Sequence, residues 1–571
     1  MQADFWNGKR APGVSDEINL DQYENAVEVF EEAFKKYADR PAFTNLGMTV
    51  TYADIDRMSA DFAAYIQNET DLQPGDRIAI QMPNLIQYPV ILYGAMRAGL
   101  IIVNTNPLYT AREMKHQFND SGAKALVFVN LYGDLVEEVL PETDIKYVIQ
   151  TTLGDMLPFV KRTLINTVVK HVKKMVPAAN LPTAIPFRSV LKKGSSYAYK
   201  PVPIKAGNIA MLQYTGGTTG VAKGAMLLHR NLTGQMAQMK AAEGQLGSDG
   251  KPLQKRGHEI IVGPLPLYHI YAFMMHCMMA VSSGNHSVLI TNPREPSLFI
   301  KAIKPFKFTA LTGIETLFVG LMDHPEFKTL DFSGLKLTVS GGAALSKPTA
   351  ERWEKITGCP VTEGYGLTEC SPGVSANPAD GLGRLGTIGM PMSGTAVKAI
   401  DDDGNEVGFG EPGELCVKGP QVMQGYWQRP EATAETIDED GWLKTGDIAV
   451  IEEDGYITIV DRKKNIIIRG GENIACLDVE GALHRHPDVL EACAFALPDD
   501  RLGEVVGASV QCSEKPVTQD ALQTFLTGQI AHFKVPIRIW IQSDSLPRGA
   551  TDKLDRRTIQ ATCNGDFVSS E

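Results

Sequence analysis

Short apolar runs alternate with segments of helical periodicity through most of this 571-residue chain, and this alternation limits the folds open to it. Early examples are a β-branched run at 77–82, a helix-like stretch at 88–98 and a second run at 100–104. Strands that alternate with helices are typical of α/β units around mostly parallel sheets. The sequence therefore predicts a large N-terminal α/β domain.

The pattern changes after about residue 420, where the chain becomes rich in β-branched residues and glycine. Beyond the charged run 461–464 the sequence predicts a new series of elements: helix 478–486, strands 492–497 and 504–511, helix 519–527 and strand 537–542. A segment of this length has the size of a small domain. We expect an N-terminal domain at 1–461 and a smaller α+β domain at 462–571.

The overall charge and the cysteine pattern exclude several classes of protein. The chain has 55 Lys and Arg against 67 Asp and Glu, and its net charge of −12 would repel nucleic-acid phosphates. No nucleic-acid partner is expected. The eight cysteines never occur as Cys-x-x-Cys, which argues against a structural zinc site and a disulfide framework. No basic and apolar leader opens the sequence, so a cytoplasmic location is expected.

One uncharged stretch, 260–281, is long enough to cross a bilayer core of about 30 Å. Prolines and histidines interrupt it, and a buried strand, a proline-bounded turn and a Met-rich helix explain it better. No transmembrane helix is expected. The methionines of that helix would either line an alkyl tunnel or pack in an ordinary core.

The tract from Met156 to Ala242 contains no Asp or Glu but 13 Lys and Arg. At its start, apolar residues recur at helical spacing and basic residues occupy other faces: Leu157, Leu164, Val168, Val172 and Met175, with Lys161, Arg162, Lys170, Lys173 and Lys174. This pattern predicts a basic amphipathic helix. Its basic side is either the solvated face of a surface helix or a site of reversible contact with anionic lipid headgroups.

The segment Tyr214-Thr-Gly-Gly-Thr-Thr-Gly-Val-Ala-Lys223 lies between two strand-like runs. Its glycines let a ligand approach the backbone, its threonines supply hydroxyl donors and Lys223 supplies a positive charge, as in a phosphate-binding loop. It is not a Walker A loop, because it lacks Gly-Lys-Ser/Thr and a strand follows it. Composition alone leaves a Gly/Thr-rich hairpin turn as the alternative.

This loop, together with Glu363-Gly-Tyr-Gly-Leu-Thr-Glu369 and the run from Gly441 to Lys464, resembles the adenylate-forming superfamily, and within it the bacterial long-chain fatty acid–CoA ligases. The resemblance covers nearly the whole chain. It implies a large multi-sheet α/β adenylation domain followed by a smaller, mobile α+β domain. It also implies ATP-dependent conversion of medium- or long-chain fatty acids to acyl-CoA through an acyl-adenylate, with release of AMP and pyrophosphate.

The resemblance also implies roles for particular residues, with ATP, Mg²⁺ and coenzyme A as the bound molecules. The phosphates would contact Tyr214, Thr215, Gly216, Gly217, Thr218, Thr219, Gly220 and Lys223. The adenine would contact Gly341, Gly342, Ala343, Glu363, Gly364, Tyr365 and Gly366, and the α-phosphate would contact Thr368. The ribose would contact Asp447 and Arg462. Glu369 and Thr215 would hold Mg²⁺, a hard cation that prefers oxygen ligands, and would act in catalysis with Lys553.

The acyl chain would contact His269, Gly313, Ile314 and Glu315 in the same scheme. The small domain would then rotate about Asp461 or Arg462 to bring a loop at 468–471 to the site. Asp552 stands where relatives have glycine, and Cys476 stands where they have proline, so the placement of Lys553 is expected to differ.

Two other functions stay open: a ligase for short-chain or aryl carboxylates, and a non-catalytic fatty-acid binder. Peripheral contact with the inner membrane and a homodimer are further possible partnerships. Pyrophosphate release on adding ATP and oleate would separate an enzyme from a binder.

Overall fold

The computed structural model describes residues 3–215, 222–247, 249–379, 381–469, 472–499, 501–513, 517–527, 529–549 and 554–564. The chain divides into two compact units, one of Met1–Val397 and Val417–Leu443, the other of Lys398–Cys416 and Lys444–Glu571. The predicted fold class, a large multi-sheet α/β region with a smaller C-terminal region, is confirmed. The predicted domain boundary after Asp461 stays a prediction.

The larger unit contains, among its described residues, a nine-stranded sheet with a parallel centre. In spatial order its strands are Met390–Pro391, Gly373–Ala376, Val361–Gly366, Leu337–Gly341, Ala310–Gly313, Ile260–Gly263, His286–Leu289, Pro41–Asn45 and Met48–Thr51. The six strands from Val361–Gly366 to Pro41–Asn45 run parallel, and antiparallel strands close both edges. Parallel centres need cover on both faces, which explains their continuous apolar sequence.

The described residues of the larger unit also form a seven-stranded sheet. Its spatial order is Ile185–Pro186, Tyr147–Thr151, Ala123–Val129, Arg77–Gln81, Ile101–Thr105, Ile209–Thr215 and Lys223–Leu228. All neighbours are parallel except the last pair, which is an antiparallel hairpin. The strand, helix and strand predicted at 77–104 are confirmed as Arg77–Gln81, Gln87–Arg97 and Ile101–Thr105.

Helices cover these sheets. The described α-helices of the larger unit are Ala26–Lys36, Tyr52–Glu69, Gln87–Arg97, Ala111–Ser121, Gly133–Val139, Phe159–Thr167, Phe187–Gly194, His229–Glu243, Ile270–Ala272, Ala280–Ser282, Pro296–Ile303, Glu315–Asp323, Lys347–Thr357 and Pro430–Thr436. Thr51 and Thr110 begin two of them with capping boxes that satisfy the first backbone N–H groups. Phe318 and Trp353, fully buried with ring centroids 4.7 Å apart, join two helices beside the nine-stranded sheet.

The uncharged stretch 260–281 forms the strand Ile260–Gly263, a turn, and a helix that continues from Ile270–Ala272 through the π-helical segment Phe273–Met279. Within the described residues, every helix is too short or too polar to traverse a bilayer. All eight cysteines are described and buried, and none is joined in a disulfide.

The basic tract differs from its prediction. An α-helix covers Phe159–Thr167, and a π-helical turn, Val168–Val172, continues it. Leu157 is buried, but Leu164, Val172 and Met175 are exposed, so the predicted apolar face is not the face that packs on the protein. The change to π-helical winding rotates the later residues away from α-helical spacing.

The smaller unit is built on two sheets in its described part. Four strands, Ala396–Ile400, Pro412–Lys418, Leu443–Ile451 and Ile457–Arg462, form one sheet in that order. The other sheet has the spatial order Glu472–Ala475, Ile466–Arg469, Gly503–Cys512 and Val489–Asp499, with Arg538–Gln542 also paired to Gly503–Cys512. Its described helices are Cys476–Leu483, Gln519–Thr527 and Arg556–Asn564. The elements predicted between 478 and 542 are thus confirmed.

Candidate active site

The carboxyl ends of three neighbouring parallel strands bring the predicted acyl and adenine segments together. Gly313 lies beside Ser340 in the strand register, Ser340 lies beside Glu363, and Gly341 lies beside Gly364. Ligands of open α/β sheets bind at this edge, outside the carboxyl ends of the strands. The structure therefore places Gly313, Gly341 and Glu363 at one sheet edge.

Glycine at position 341 allows the backbone and an aromatic ring to approach closely. A Cβ atom there would lie 3.3 Å from the carbonyl oxygen of Gly364 and 3.4 Å from the ring of Tyr271. The Tyr271 hydroxyl donates a hydrogen bond to the carbonyl of Val339 at 3.3 Å. Gly342 follows with a φ of 83°, a left-handed conformation that favours glycine. Glycine at both positions therefore suits the close approach and the left-handed turn found here.

Glu363 is a half-buried carboxylate at the same edge. Its Oε2 accepts a hydrogen bond from the backbone N–H of Gly386 at 3.1 Å. Burial raises its pKa to about 7, and the nearby negative charge of Glu315 adds to the rise. A carboxyl group with this pKa changes its protonation state near neutral pH.

Glu315 has hydrogen-bond partners that explain a carboxylate in the predicted acyl segment. Its Oε2 accepts from the backbone N–H of Ser346 at 2.9 Å, and its Oε1 accepts from the Thr349 hydroxyl at 2.9 Å. These groups begin the helix Lys347–Thr357, whose N-terminal end favours negative charge. Glu315 thus links two helices.

The remaining predicted residues of this edge occupy turns and strand ends. His269 precedes the helix Ile270–Ala272, and its Nδ1 accepts from the N–H of Tyr271 at 3.3 Å. Ile314 precedes the helix Glu315–Asp323. Others lie within or just after the two adenine strands: Ala343, Tyr365, Gly366 and Thr368.

A small cavity of about 20 Å³ lies between the π-helical segment Phe273–Met279 and the nine-stranded sheet. Met275 and Met279 line it, facing Ile261, Leu311 and Val339. By contrast, Met274 and Met278 are buried in the core. The core-packing interpretation is thus confirmed for Met274, Met278 and Met279, and the alkyl tunnel stays a prediction.

The antiparallel hairpin of the seven-stranded sheet frames the predicted phosphate loop. Thr215 and Lys223 are paired in register at its two strand ends. Several predicted residues lie outside the described residues: Gly216, Gly217, Thr218, Thr219 and Gly220 of this loop, and Asp552 and Lys553 near the C-terminus. Part of the predicted 468–471 loop, 470–471, also lies outside them.

Tyr426 connects two of the predicted residues. Its hydroxyl donates a hydrogen bond to Oε1 of Glu369 at 2.7 Å, and the Nζ of Lys223 lies 5.1 Å from its ring centroid. Tyr426 is 9% exposed. The structure thus brings Lys223 and Glu369 to one tyrosine, although they lie far apart in the sequence.

Asp120 anchors the strand that leads into the loop. Its Oδ2 accepts from the Tyr214 hydroxyl at 2.7 Å, and its Oδ1 pairs with Arg429 at 2.5 Å. Its backbone carbonyl accepts from the Trp427 indole N–H at 3.0 Å. Burial and this carboxylate raise the pKa of Tyr214. The Tyr214 hydroxyl is therefore hydrogen-bonded to Asp120 within the protein.

Sequence reasoning missed Asp120, Tyr426 and Arg429. No local spacing could have found them, because Tyr426 is 57 residues from Glu369 and Arg429 is 309 residues from Asp120. The short aromatic segment Gly425-Tyr-Trp427 was the available signal.

In the smaller unit, Asp447 and Arg462 face each other on antiparallel strands. Arg462 Nε lies 2.7 Å from Asp447 Oδ1, and the Asp447 residue is buried. The Thr445 hydroxyl accepts a hydrogen bond from the Asp447 backbone N–H at 3.1 Å. The structure thus joins Asp447 and Arg462 in one ion pair, and their contact with a ribose stays a prediction.

Comparison with known proteins identifies relatives over almost the whole chain. A long-chain-fatty-acid–CoA ligase of Salmonella typhimurium is 47% identical over 560 residues, which cover 98% of both chains. One of Escherichia coli O157:H7 is 46% identical with the same coverage. ATP-bound MatB from Rhodopseudomonas palustris, a solved structure, matches with a TM-score of 0.80 over 95% of this chain and all of its own, at 24% identity.

Two family models match the chain. The model for AMP-binding enzymes matches residues 30–427, and the model for their C-terminal domain matches residues 478–553. The first match alone covers more than half of the sequence and contains the predicted phosphate, adenine and acyl segments. This chain belongs to the family of AMP-binding enzymes.

Proposed function

We propose that this protein is an ATP-dependent long-chain fatty acid–CoA ligase. The observation that carries the proposal is the end-to-end match to two long-chain-fatty-acid–CoA ligases at nearly half identity. Lys223, Glu369 and Asp447 are all present in the sequence, which supports turnover of the fatty acid rather than binding alone.

The reaction has two steps. A carboxylate resists attack by a thiol because its carbonyl is electron-rich and oxide is a poor leaving group. In the first step a carboxylate oxygen attacks the α-phosphorus of ATP, forming acyl-adenylate and releasing pyrophosphate. In the second, the sulfur of coenzyme A attacks the acyl carbonyl, and AMP leaves. Both steps depend on charge neutralisation and positioning rather than on a protein nucleophile.

The residues near Tyr426 fit a Mg²⁺ ion that accompanies ATP. Glu369 is a half-buried carboxylate with one oxygen bonded to Tyr426, and a carboxylate accepts several partners. No group of three or more His, Cys, Asp or Glu side chains suited to a metal occurs among the described residues. Mg²⁺ is commonly held by one or two carboxylates together with phosphates and water, so Glu369 and Thr215 would suffice. When bound, the ion neutralises phosphate charge.

Other roles follow from the resemblance and are proposed with it. Lys223 and the loop from Thr215 would hold the β- and γ-phosphates, and the Gly341 and Glu363 segments would flank the adenine. Asp447 would accept hydrogen bonds from the ribose hydroxyls, because a carboxylate can accept two from a diol. Lys553 would reach the α-phosphate on a domain that rotates about Asp461 or Arg462. The acyl chain would contact the segments of His269 and Gly313.

CoA-dependent formation of AMP from butyrate, laurate, palmitate, stearate and benzoate tests this function. We expect the highest rate with laurate or a longer acid. We expect Glu369→Gln to lower the rate on the order of a hundredfold, because it removes the negative charge that would hold Mg²⁺ beside the reacting phosphates. Glu351→Gln, which removes an exposed carboxylate of the helix Lys347–Thr357, is the matched control. Turnover of butyrate or benzoate alone would indicate a short-chain or aryl ligase, and fatty-acid binding without pyrophosphate release would indicate a binder.

We also propose that the protein, in the cytoplasm, docks on an anionic membrane through the surface formed by Phe159, Val160, Leu164, Val172 and Met175. Each of these apolar residues is more than half exposed. The other side of the helix packs on the protein through Asn166, which accepts from the Gly154 N–H at 3.0 Å and donates to the Thr152 hydroxyl at 2.9 Å. The helix is thus fixed with its apolar side outward.

The charge around this surface favours anionic lipid over a second copy of the chain. Five basic residues surround it: Lys161, Arg162, Lys170, Lys173 and Lys174. None of them forms an ion pair with another described residue. A symmetric dimer would place these like charges against each other. Exposed apolar side chains beside several lysines are typical of segments that bind at a membrane interface.

Sedimentation with vesicles of phosphatidylglycerol and phosphatidylethanolamine tests the surface. Replacing Lys170, Lys173 and Lys174 by Gln should weaken binding by roughly a hundredfold, since each lysine near such a surface contributes about 1 kcal/mol. Phe159→Ser with Leu164→Ser should also weaken it, whereas Leu298→Ser, at another exposed leucine, should not. If the lysine variant binds the vesicles as the wild type does, the membrane proposal is wrong and the basic side is an ordinary solvated helix face. A dimer by light scattering that Phe159→Ser dissociates would assign the surface to a homodimer.

A further inference from the structure

Tyr426 lies between two residues of opposite charge and contacts each through a different part of its side chain. Its hydroxyl donates to Glu369 Oε1 at 2.7 Å, while its ring lies 5.1 Å from the Lys223 ammonium. Among the described residues, Lys223 and Glu369 form no direct ion pair with each other. The tyrosine therefore sets the separation of the two charges.

The backbone around Tyr426 is bound to the strand that begins at Lys223. The N–H of Trp427 donates to the Gly224 carbonyl at 2.8 Å, and the N–H of Met226 donates to the Gly425 carbonyl at 2.8 Å. The Tyr426 N–H donates to the Thr433 hydroxyl at 2.9 Å. On the other side, the Met423 N–H donates to the Glu369 carbonyl at 2.8 Å. Both charged residues are thus joined to one short segment, 423–427.

The two contacts of Tyr426 strengthen each other. A cation is attracted to the negative face of an aromatic ring, and the attraction increases where water is excluded. Donating to a carboxylate makes the ring more electron-rich, which favours the ammonium further.

We propose that Tyr426 is a positioning residue that holds the Glu369 carboxylate and the Lys223 ammonium in one fixed array for the Mg²⁺ and the phosphates of ATP. This inference rests on the proposed function, in which Glu369 serves the metal and Lys223 serves the phosphates. It predicts that the hydroxyl and the ring of one side chain have separable effects.

Equilibrium binding of ATP without fatty acid, measured by calorimetry, separates these effects because no turnover occurs. Tyr426→Phe removes the hydroxyl and keeps the ring. We expect the Mg²⁺ concentration that half-saturates ATP binding to rise about tenfold, the factor of a lost hydrogen bond to a charged group. ATP affinity in EDTA, which depends on the ring beside Lys223, should fall by a much smaller factor. Tyr426→Leu removes the ring as well and should also lower the affinity in EDTA.

Tyr147→Phe is the matched control. It removes another tyrosine–carboxylate hydrogen bond, to Asp71 at 3.1 Å, in a strand four positions from Ile209–Thr215 in the seven-stranded sheet. Its Mg²⁺ dependence should equal that of the wild type. Near-UV circular dichroism would verify that each variant folds.

The outcomes separate this inference from the function on which it rests. If Glu369→Gln shifts the Mg²⁺ dependence and Tyr426→Phe does not, the positioning role is wrong and the metal role stands. If neither variant shifts it, the metal role of Glu369 is wrong. If the wild type releases no pyrophosphate with any acid, the ligase function itself is wrong.

Discussion

At the residue scale, Glu363 has a raised pKa, and this makes the stability of the protein depend on pH. Its folded-state pKa is raised to about 7 by burial, above the value of an unfolded chain. The folded protein therefore keeps a proton that the unfolded chain releases at lower pH. By linkage, this carboxyl lowers stability as the pH rises from about 4.5 to about 7, and its effect levels off above that range.

Glu363→Gln should abolish this pH dependence, because glutamine keeps an oxygen for the Gly386 N–H and carries no proton to lose. Urea midpoints followed by tryptophan fluorescence from about pH 5 to pH 8 would measure it. The urea midpoint of the variant relative to that of the wild type should therefore increase as the pH rises. A difference between the two proteins that stays constant over this range would contradict the prediction.

At the scale of elements, Asp120 joins the helix Ala111–Ser121 to the strand that enters the phosphate loop. Asp120→Ala leaves the Tyr214 hydroxyl, in a residue only 7% exposed, without its acceptor. We expect a loss of about 2 kcal/mol in unfolding free energy, most of it from this hydrogen bond, since the partly exposed Arg429 pair contributes less. Denaturant unfolding would measure the loss. Asp71→Ala, at an exposed carboxylate bonded to Tyr147, should change stability little, and an equal effect of the two variants would contradict the argument.

Local patterns predicted most elements but not the contacts between them. The strand Arg77–Gln81 and the helix Gln519–Thr527 follow from periodicity, which is a property of neighbouring residues. The basic helix was predicted, yet its buried face was not, because packing through Asn166 decides which side faces the protein. Tyr426 and Asp120 were missed for the same reason, since their partners are distant in the sequence.

At the scale of the whole molecule, the smaller of the two compact units is discontinuous in sequence. Residues 398–416 pack with the residues from 444 onward, and residues 417–443 between them belong to the larger unit. Strand pairing brings Pro412–Lys418 beside Leu443–Ile451, a pairing that no local pattern predicts. The family, by contrast, was predictable from sequence because its motifs are long and occur in order. The rotation of residues 462–571 about Asp461 or Arg462 stays a prediction, and both of these residues lie within the smaller unit.

Glu315 has a consequence for how the two substrates would influence each other. Its carboxylate joins the helix Glu315–Asp323, which follows the proposed acyl segment, to the first turn of the helix Lys347–Thr357, which follows a proposed adenine segment. A shift of either helix would therefore displace the other through these hydrogen bonds. If fatty acid binding moves the first helix, it changes the affinity for ATP, and thermodynamic reciprocity then requires ATP to change the affinity for fatty acid by the same factor.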